Sequence, residues 1–237
     1  MHNGGRLVAA GSREMPSLPT GTQDDHPGRK GRTTMAKPAL RDVFQLKVTL
    51  RGIRPPIWRR LLVPASYTLA RLHDAIQAAF GWEDCHLHAF IVYGEEYGPR
   101  DPEGGTEVRS ERVSLASLGL EAKDKFSYEY DFGDDWVHDI TVEKALVSEE
   151  TLPHPICVAG KRSCPPEDCG GTSGYEELLD AVADPTHPRH QEFKDWLDDD
   201  WDPEWFSVDY VNICLKGRFA PPKSHAEAKL QGSQSKA

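Results

Sequence analysis

Histidine and cysteine side chains that could bind a metal ion occur in two parts of the sequence. His86 and His88 are two positions apart on a predicted strand, so both imidazoles would project from one face of a sheet. Cys157, Cys164 and Cys169 lie in or near a loop rich in proline and glycine. A tetrahedral zinc site is one interpretation, and partly buried histidines with ordinary loop or core cysteines are the other. The C-x6-C-x4-C spacing favours the second, because common zinc knuckles place the first pair two to four residues apart.

Carboxylates form a second group, around the turn of a predicted β-hairpin and in the loop PPEDCGG. Clustered carboxylates can hold Mg²⁺ or Mn²⁺ for phosphodiester hydrolysis. Asp is also the ordinary residue of turns, and acids before a helix favour its N-terminus, so a structural role is the simpler explanation. The candidate binding residues of this region are Asp131, Asp134, Asp135, Trp136, His138, Glu167 and Asp168.

A basic cluster surrounds Trp58, and it consists of Arg51, Arg54, Arg59 and Arg60. Such a cluster could bind phosphate or an acidic peptide, with Arg54 and Arg59 as the candidate residues. Arginines at alternating strand positions more often pair with acids on a solvated face, and basic clustering alone is weak evidence.

Three tryptophans near the C-terminus, Trp196, Trp201 and Trp205, stand among acidic residues. Acid-flanked tryptophans suit a surface that recognises another protein. We favour the alternative that they pin the C-terminal helices to the sheet, since large aromatic side chains are usually at least half buried.

Composition limits the class of protein. The chain has 237 residues with 38% hydrophobic and 28% charged residues, typical of a globular protein, and no apolar run is long enough to span a membrane. No secretory signal is visible and the five cysteines are an odd number, so we expect a cytoplasmic protein with reduced thiols. The net charge of −10 becomes −13 for residues 41–237, which disfavours nucleic-acid binding by the folded part.

The elements that would position these residues indicate an α+β domain at 41–216, between a disordered leader at 1–40 and a disordered tail at 217–237. Alternating apolar residues predict strands at 43–50, 57–63, 86–93, 125–132 and 136–147. A helix is predicted by Leu69, Leu72, Ile76 and Phe80, with further helices at 174–184, 190–198 and 206–215. We expect one mixed or antiparallel sheet covered by helices. Met35 is a candidate for the true start of the protein.

Three phrases of the sequence carry a family resemblance: TLARLHDAIQAAFGWEDCHLHAF, YEYDFGDDWVHDI and CPPEDCGGTSGYEELLDAV. In this order they resemble the plasmid pRiA4b ORF-three-like family, whose members are single α+β domains found on plasmids, with mobile elements and on chromosomes. The resemblance implies a fold and supplies no catalytic residue.

No catalytic motif identifies a reaction. We therefore predict a non-enzymatic module that binds a protein or a small molecule in a pocket between the hairpin turn, the strand with His86 and His88, and the CPPEDCGG loop. The alternatives are a metal-dependent hydrolase, such as a nuclease or phosphatase, that uses the carboxylates and His138, and a domain with structural zinc. Zinc or magnesium is the cofactor that these alternatives imply, and no membrane partner is expected.

Overall fold

An eight-stranded β-sheet forms the centre of the protein, in a computed structural model that describes residues 42–99, 109–147, 151–198 and 200–220. The spatial order of the strands is β5-β4-β3-β6-β7-β1-β2-β8. Neighbouring strands are antiparallel, except that the two-residue β5 runs parallel to β4. The strands are β1 (Val43–Leu50), β2 (Trp58–Pro64), β3 (His88–Val92), β4 (Glu95–Gly98), β5 (Arg109–Ser110), β6 (Lys125–Tyr130), β7 (Trp136–Leu146) and β8 (Ile156–Lys161).

One face of this sheet is buried because its strands alternate apolar and polar residues. In β1, Leu46 and Val48 are fully buried, whereas Gln45 and Lys47 on the other face are only half-buried. Successive side chains of a strand point to opposite faces, so the apolar set forms the core and the polar set meets solvent.

Among the described residues, four α-helices accompany the sheet: α1 (Leu69–Phe80), α2 (Gly171–Ala183), α3 (His190–Trp196) and α4 (Val208–Arg218). Helix α1 begins where the Thr68 hydroxyl accepts a hydrogen bond from the Arg71 amide, and it ends at the left-handed Gly81. Its apolar side lies on the buried face of the sheet, and α4 packs against both α1 and β8. Within the described residues, no helix combines the length and apolar character needed to cross a bilayer.

The predicted fold class is confirmed: this is one α+β domain with helices over a mainly antiparallel sheet. Three short strands were missed. The segment expected as a loop after residue 93 contains β4 and β5, and β8 lies where a cysteine-rich loop was expected. Leader residues 1–40 lie outside the described residues, as do residues 221–237 of the predicted tail, while α4 extends to Arg218.

Candidate metal centre

Three segments that are distant in the sequence meet at one end of the hairpin formed by β6 and β7. They are the residues just before β3, the turn after β6, and the loop between β8 and α2. Asp134 connects the turn to the loop, since its Oδ2 accepts a hydrogen bond from the Gly170 amide at 3.0 Å. The approach is close: a Cβ atom on Gly171 would lie 2.5 Å from the Asp134 carbonyl oxygen, and Gly171 has a φ of +67°. Glycine is therefore required where the loop enters α2.

His86 stands at the centre of this junction with three carboxylates around it. Its Nε2 lies 3.2 Å from Asp168 Oδ1, 3.7 Å from Asp131 Oδ2 and 3.7 Å from Glu167 Oε2. The Cys85 thiol joins the group, because one ligand atom each of Cys85, His86 and Glu167 lies within 4.8 Å of the other two. The same holds for His86, Asp131 and Asp168. Nitrogen, oxygen and sulfur donors thus form two overlapping groups that share His86.

Two of these carboxylates are oriented by hydrogen bonds to the oxygen that faces away from His86. Glu167 Oε1 accepts from the Glu83 amide at 2.7 Å and from the Tyr130 hydroxyl at 3.0 Å. Asp131 Oδ1 accepts from the Gly133 amide at 2.9 Å. The other oxygen of each carboxylate is left to face His86, which is the arrangement that outer partners impose on metal-binding carboxylates.

Two buried atoms at the centre have no hydrogen-bond partner: His86 Nε2 and Glu167 Oε2. Burial of a polar atom without a partner costs about 1–3 kcal/mol. Burial also raises the pKa of Glu167, and burial together with the Cys85 contact raises the pKa of Tyr130. A positive charge between Glu167 and His86 would satisfy both orphaned atoms.

The backbone at this junction is unusual as well. Asp84, Asp131 and Asp168 all have φ between +55° and +59°, in the left-handed region. Asp tolerates this region better than most residues, and such conformations concentrate at functional sites.

The other predicted metal ligands lie elsewhere. His88 begins β3, and its Nε2 lies 2.8 Å from Glu111 Oε2 while its ring stacks on His73 at 3.6 Å. His86 precedes the strand, so the two imidazoles do not share a strand face as expected, and they have different partners.

None of the three predicted thiols joins the His86 group among the described residues. Cys157 is buried in β8, where its thiol lies 3.4 Å from the Ala159 carbonyl oxygen. Burial raises the pKa of Cys157, of Cys164 and, to about 12, of Cys169. These thiols stay protonated at neutral pH, and the thiol, unlike the thiolate, is a poor metal ligand.

Of the hairpin residues, Trp136 and His138 are fully buried. His138 Nδ1 lies 3.0 Å from the Trp136 carbonyl oxygen, which it donates to, and burial lowers the pKa of His138 to about 4. Asp135 is exposed in the turn, four residues after Asp131. Its carboxylate belongs to neither group of candidate ligands.

The four arginines of the predicted cluster differ in the groups that they contact. Arg51 pairs with Asp139 and Arg60 with Glu143, as the solvated-face interpretation expects. Arg59 is buried and donates to the carbonyl oxygens of Ala79, Trp58 and Lys161. Arg54 is exposed beside Pro55 and lines a pocket together with Arg51.

Sequence reasoning missed Cys85 as a candidate ligand. The available signal was its position directly before His86, which places a thiol and an imidazole side by side in a loop.

The fold and the His86 group define an α+β domain with a candidate cation site. The chain belongs to the plasmid pRiA4b ORF-3-like protein family, which matches residues 42–210. It is 42% identical over 156 residues to the uncharacterised protein y4hQ of Sinorhizobium fredii, covering 65% of this chain and 80% of that protein. It also resembles a crystal structure of a protein of unknown function from Methanosarcina mazei Go1, with 41% identity and a TM-score of 0.63, covering 70% of this chain and 96% of the other.

Proposed function

We propose that this protein is a binding module that holds one divalent transition-metal ion at His86. The observation that supports this most directly is the pair of buried, unpartnered atoms, His86 Nε2 and Glu167 Oε2, which face each other 3.7 Å apart. A metal ion accepts a lone pair from each and offsets the cost of burying both. Asp131 and Asp168 form a second group of possible ligands with His86.

The separations support a small ion. Two ligands at about 2.0–2.2 Å from Zn²⁺ and at a tetrahedral angle lie roughly 3.3–3.6 Å apart. The distances from His86 Nε2 to the three carboxylates run from 3.2 to 3.7 Å, so the side chains need to move little to bind zinc.

The type of ligand supports zinc over magnesium. Imidazole and the cysteine thiolate are ligands of Zn²⁺ and similar transition metals, whereas Mg²⁺ prefers oxygen ligands in an octahedron and retains water. His86 and the neighbouring Cys85 therefore favour Zn²⁺, while carboxylates alone would have favoured magnesium.

The test is a calorimetric titration of protein that has been stripped with EDTA and dialysed. We expect ZnCl₂ to bind with one site per chain and MgCl₂ to bind at least about tenfold more weakly. His86→Ala and Glu167→Gln should each weaken zinc binding by about 10- to 100-fold. Asp135→Asn is the matched control, because it removes a carboxylate of the same turn that lies outside the group.

Two results would overturn the proposal: no zinc binding by the stripped protein, or equal zinc binding by the His86→Ala variant. In either case the contacts of His86 with the three carboxylates serve the structure and not metal binding.

A second candidate function, metal-dependent hydrolysis, is favoured by the openness of one side of the site. The Asp168 side chain is 71% exposed, so solvent and a substrate can reach this group. A zinc ion at an open site supplies Lewis acidity and activates a bound water. Zinc-loaded protein that cleaves bis(4-nitrophenyl) phosphate, with activity lost in Asp168→Asn, would support the hydrolase; absence of turnover with intact zinc binding supports the binding module.

A further inference from the structure

A cavity of about 520 Å³ lies at the C-terminal end of α1, and the proposal for it is independent of the metal proposal. Residues of the segment between α3 and α4 contribute to its lining. This size is within the range of pockets for small ligands. The Ser163 hydroxyl fixes the segment, since it donates to the Asp202 carbonyl oxygen at 2.7 Å and lies 3.1 Å from that of Trp205.

Aromatic side chains form much of the cavity wall. Trp205 and Tyr210 meet edge to face, with ring centroids 5.2 Å apart at an angle of 73°. Trp205 remains 48% exposed and Tyr210 54% exposed, although both rings line the cavity. Trp201 and Phe206 also line it and pack partly against the core. Aromatic surface that is held in place but left exposed is available to a ligand.

The charged groups on the lining favour a positive ligand. Asp198, Asp200 and Asp202 all contribute to it. None of the ion pairs within the part of the chain that the structure describes involves any of these three carboxylates. Asp202 Oδ1 accepts a hydrogen bond from the Glu204 amide.

Arg59 is the basic side chain on the lining, and the protein itself occupies its guanidinium. Phe80 and Phe206 stack on it at 4.9 and 4.7 Å, and three backbone carbonyl oxygens accept its hydrogen bonds. Burial lowers the pKa of Arg59. The positive charge of Arg59 is thus directed toward the backbone. With three carboxylates on the lining, the net charge around the cavity is negative.

We propose that this cavity binds a quaternary ammonium group. The methyl groups of such a cation fit the faces of Trp205 and Tyr210, where the negative face of each ring attracts the charge. The three carboxylates set the sign of the ligand, and the aromatic wall favours an alkylated cation over a bare metal ion. The group could belong to a choline-like small molecule or to a trimethylated lysine of another protein, which present the same chemistry.

The first experiment is a titration of the full chain with choline, followed by NMR and calorimetry. Its neutral isostere, 3,3-dimethylbutan-1-ol, has the same shape without the charge. We expect choline to bind at least about tenfold more tightly than the isostere. Trp205→Ala and Asp200→Asn should each weaken choline binding by a similar factor.

Trp196→Ala is the matched control, because Trp196 is 47% exposed but lies outside this cavity. It should leave choline binding unchanged. A peptide with trimethyllysine, compared with the same peptide carrying unmodified lysine, identifies the source: tighter binding of the methylated peptide than of choline assigns the site to a protein partner. Three results would overturn the proposal. Choline and the isostere could bind equally, Trp196→Ala and Trp205→Ala could weaken choline binding equally, or neither choline nor the methylated peptide could bind.

Discussion

At the scale of single residues, His138 is an imidazole that the fold holds neutral. It is fully buried between Phe80 and the strands, where Trp82 Nε1 lies 3.5 Å from its Nε2. Burial lowers its pKa from the ordinary 6.5 to about 4. Between these values the unfolded chain takes up a proton that the folded protein does not. The stability that depends on neutral His138 is therefore complete above pH 6.5 and is lost as the pH falls toward 4.

This gives a prediction for acid unfolding. The free energy of unfolding should fall by about 3 kcal/mol from pH 6.5 to pH 4 through this one group. His138→Gln, which cannot titrate, should be less stable at neutral pH but should show a smaller fall, as measured by urea unfolding at each pH. His187→Gln, a change at a partly buried histidine between α2 and α3, should keep the full fall. An unchanged pH dependence in His138→Gln would contradict the assignment.

The candidate ligands show what residue types alone can predict. His86, Asp131, Glu167 and Asp168 are identifiable from the sequence, because imidazoles and turn carboxylates are the groups that hold cations. Which of them meet depends on contacts between distant segments. The hydrogen bond from the Gly170 amide to Asp134 brings the loop to the turn, and no local pattern encodes it.

At the scale of elements, the start of α2 determines where the Glu167 loop lies. Gly171 and Gly119 have nearly the same left-handed φ, +67° and +69°, but their surroundings differ. A Cβ on Gly171 would lie 2.5 Å from the Asp134 carbonyl oxygen, whereas a Cβ on Gly119 would meet nothing within 4 Å. A comparison of substitutions at these two glycines therefore separates the effect of backbone strain from the effect of steric contact.

We expect Gly119→Ala to cost about 1 kcal/mol of stability, from conformational strain alone. Gly171→Ala should cost roughly 2 kcal/mol more, because a backbone oxygen must move to admit the methyl group. Urea unfolding of both variants measures the difference. Zinc binding should be weaker in the Gly171→Ala variant and unchanged in the Gly119→Ala variant, since only the first change displaces the loop with Glu167. Equal stability of the two variants would show that the loop adapts freely to the added methyl group.

The elements that could be predicted from the sequence are those in which apolar residues recur at a regular spacing. Helix α1 and strands β1, β6 and β7 each bury one regular set of side chains. Strand β8 lacks such a period, since Val158 is exposed and Gly160 has no side chain. Pairing with β2 defines β8 instead, and such pairing is a tertiary property.

At the scale of the whole molecule, the proposed metal site joins parts of the chain that are far apart in sequence. His86 precedes β3, Asp131 follows β6, and Glu167 and Asp168 precede α2. Unfolding separates all of these proposed ligands, so a metal ion held by them would bind the folded state and not the unfolded one. Zinc should therefore stabilise the entire domain and not the site alone.

The size of this effect can be stated in advance. At a free zinc concentration about 100 times the Kd, binding adds about 2.7 kcal/mol to the free energy of unfolding. For a domain of this length, that raises the Tm by roughly 5–10 °C in a calorimetric scan, compared with protein in EDTA. Asp135→Asn should show the full rise. His86→Ala should show at most about half of it, because binding weakened 10- to 100-fold adds only about 0.4–1.4 kcal/mol at the same zinc concentration, and its Tm in EDTA should stay close to that of the unaltered protein. If Mg²⁺ produced the same rise in Tm, or if the His86→Ala variant kept the full rise, the stabilisation would not depend on the imidazole at the junction. It would then come from general screening of the acidic surface.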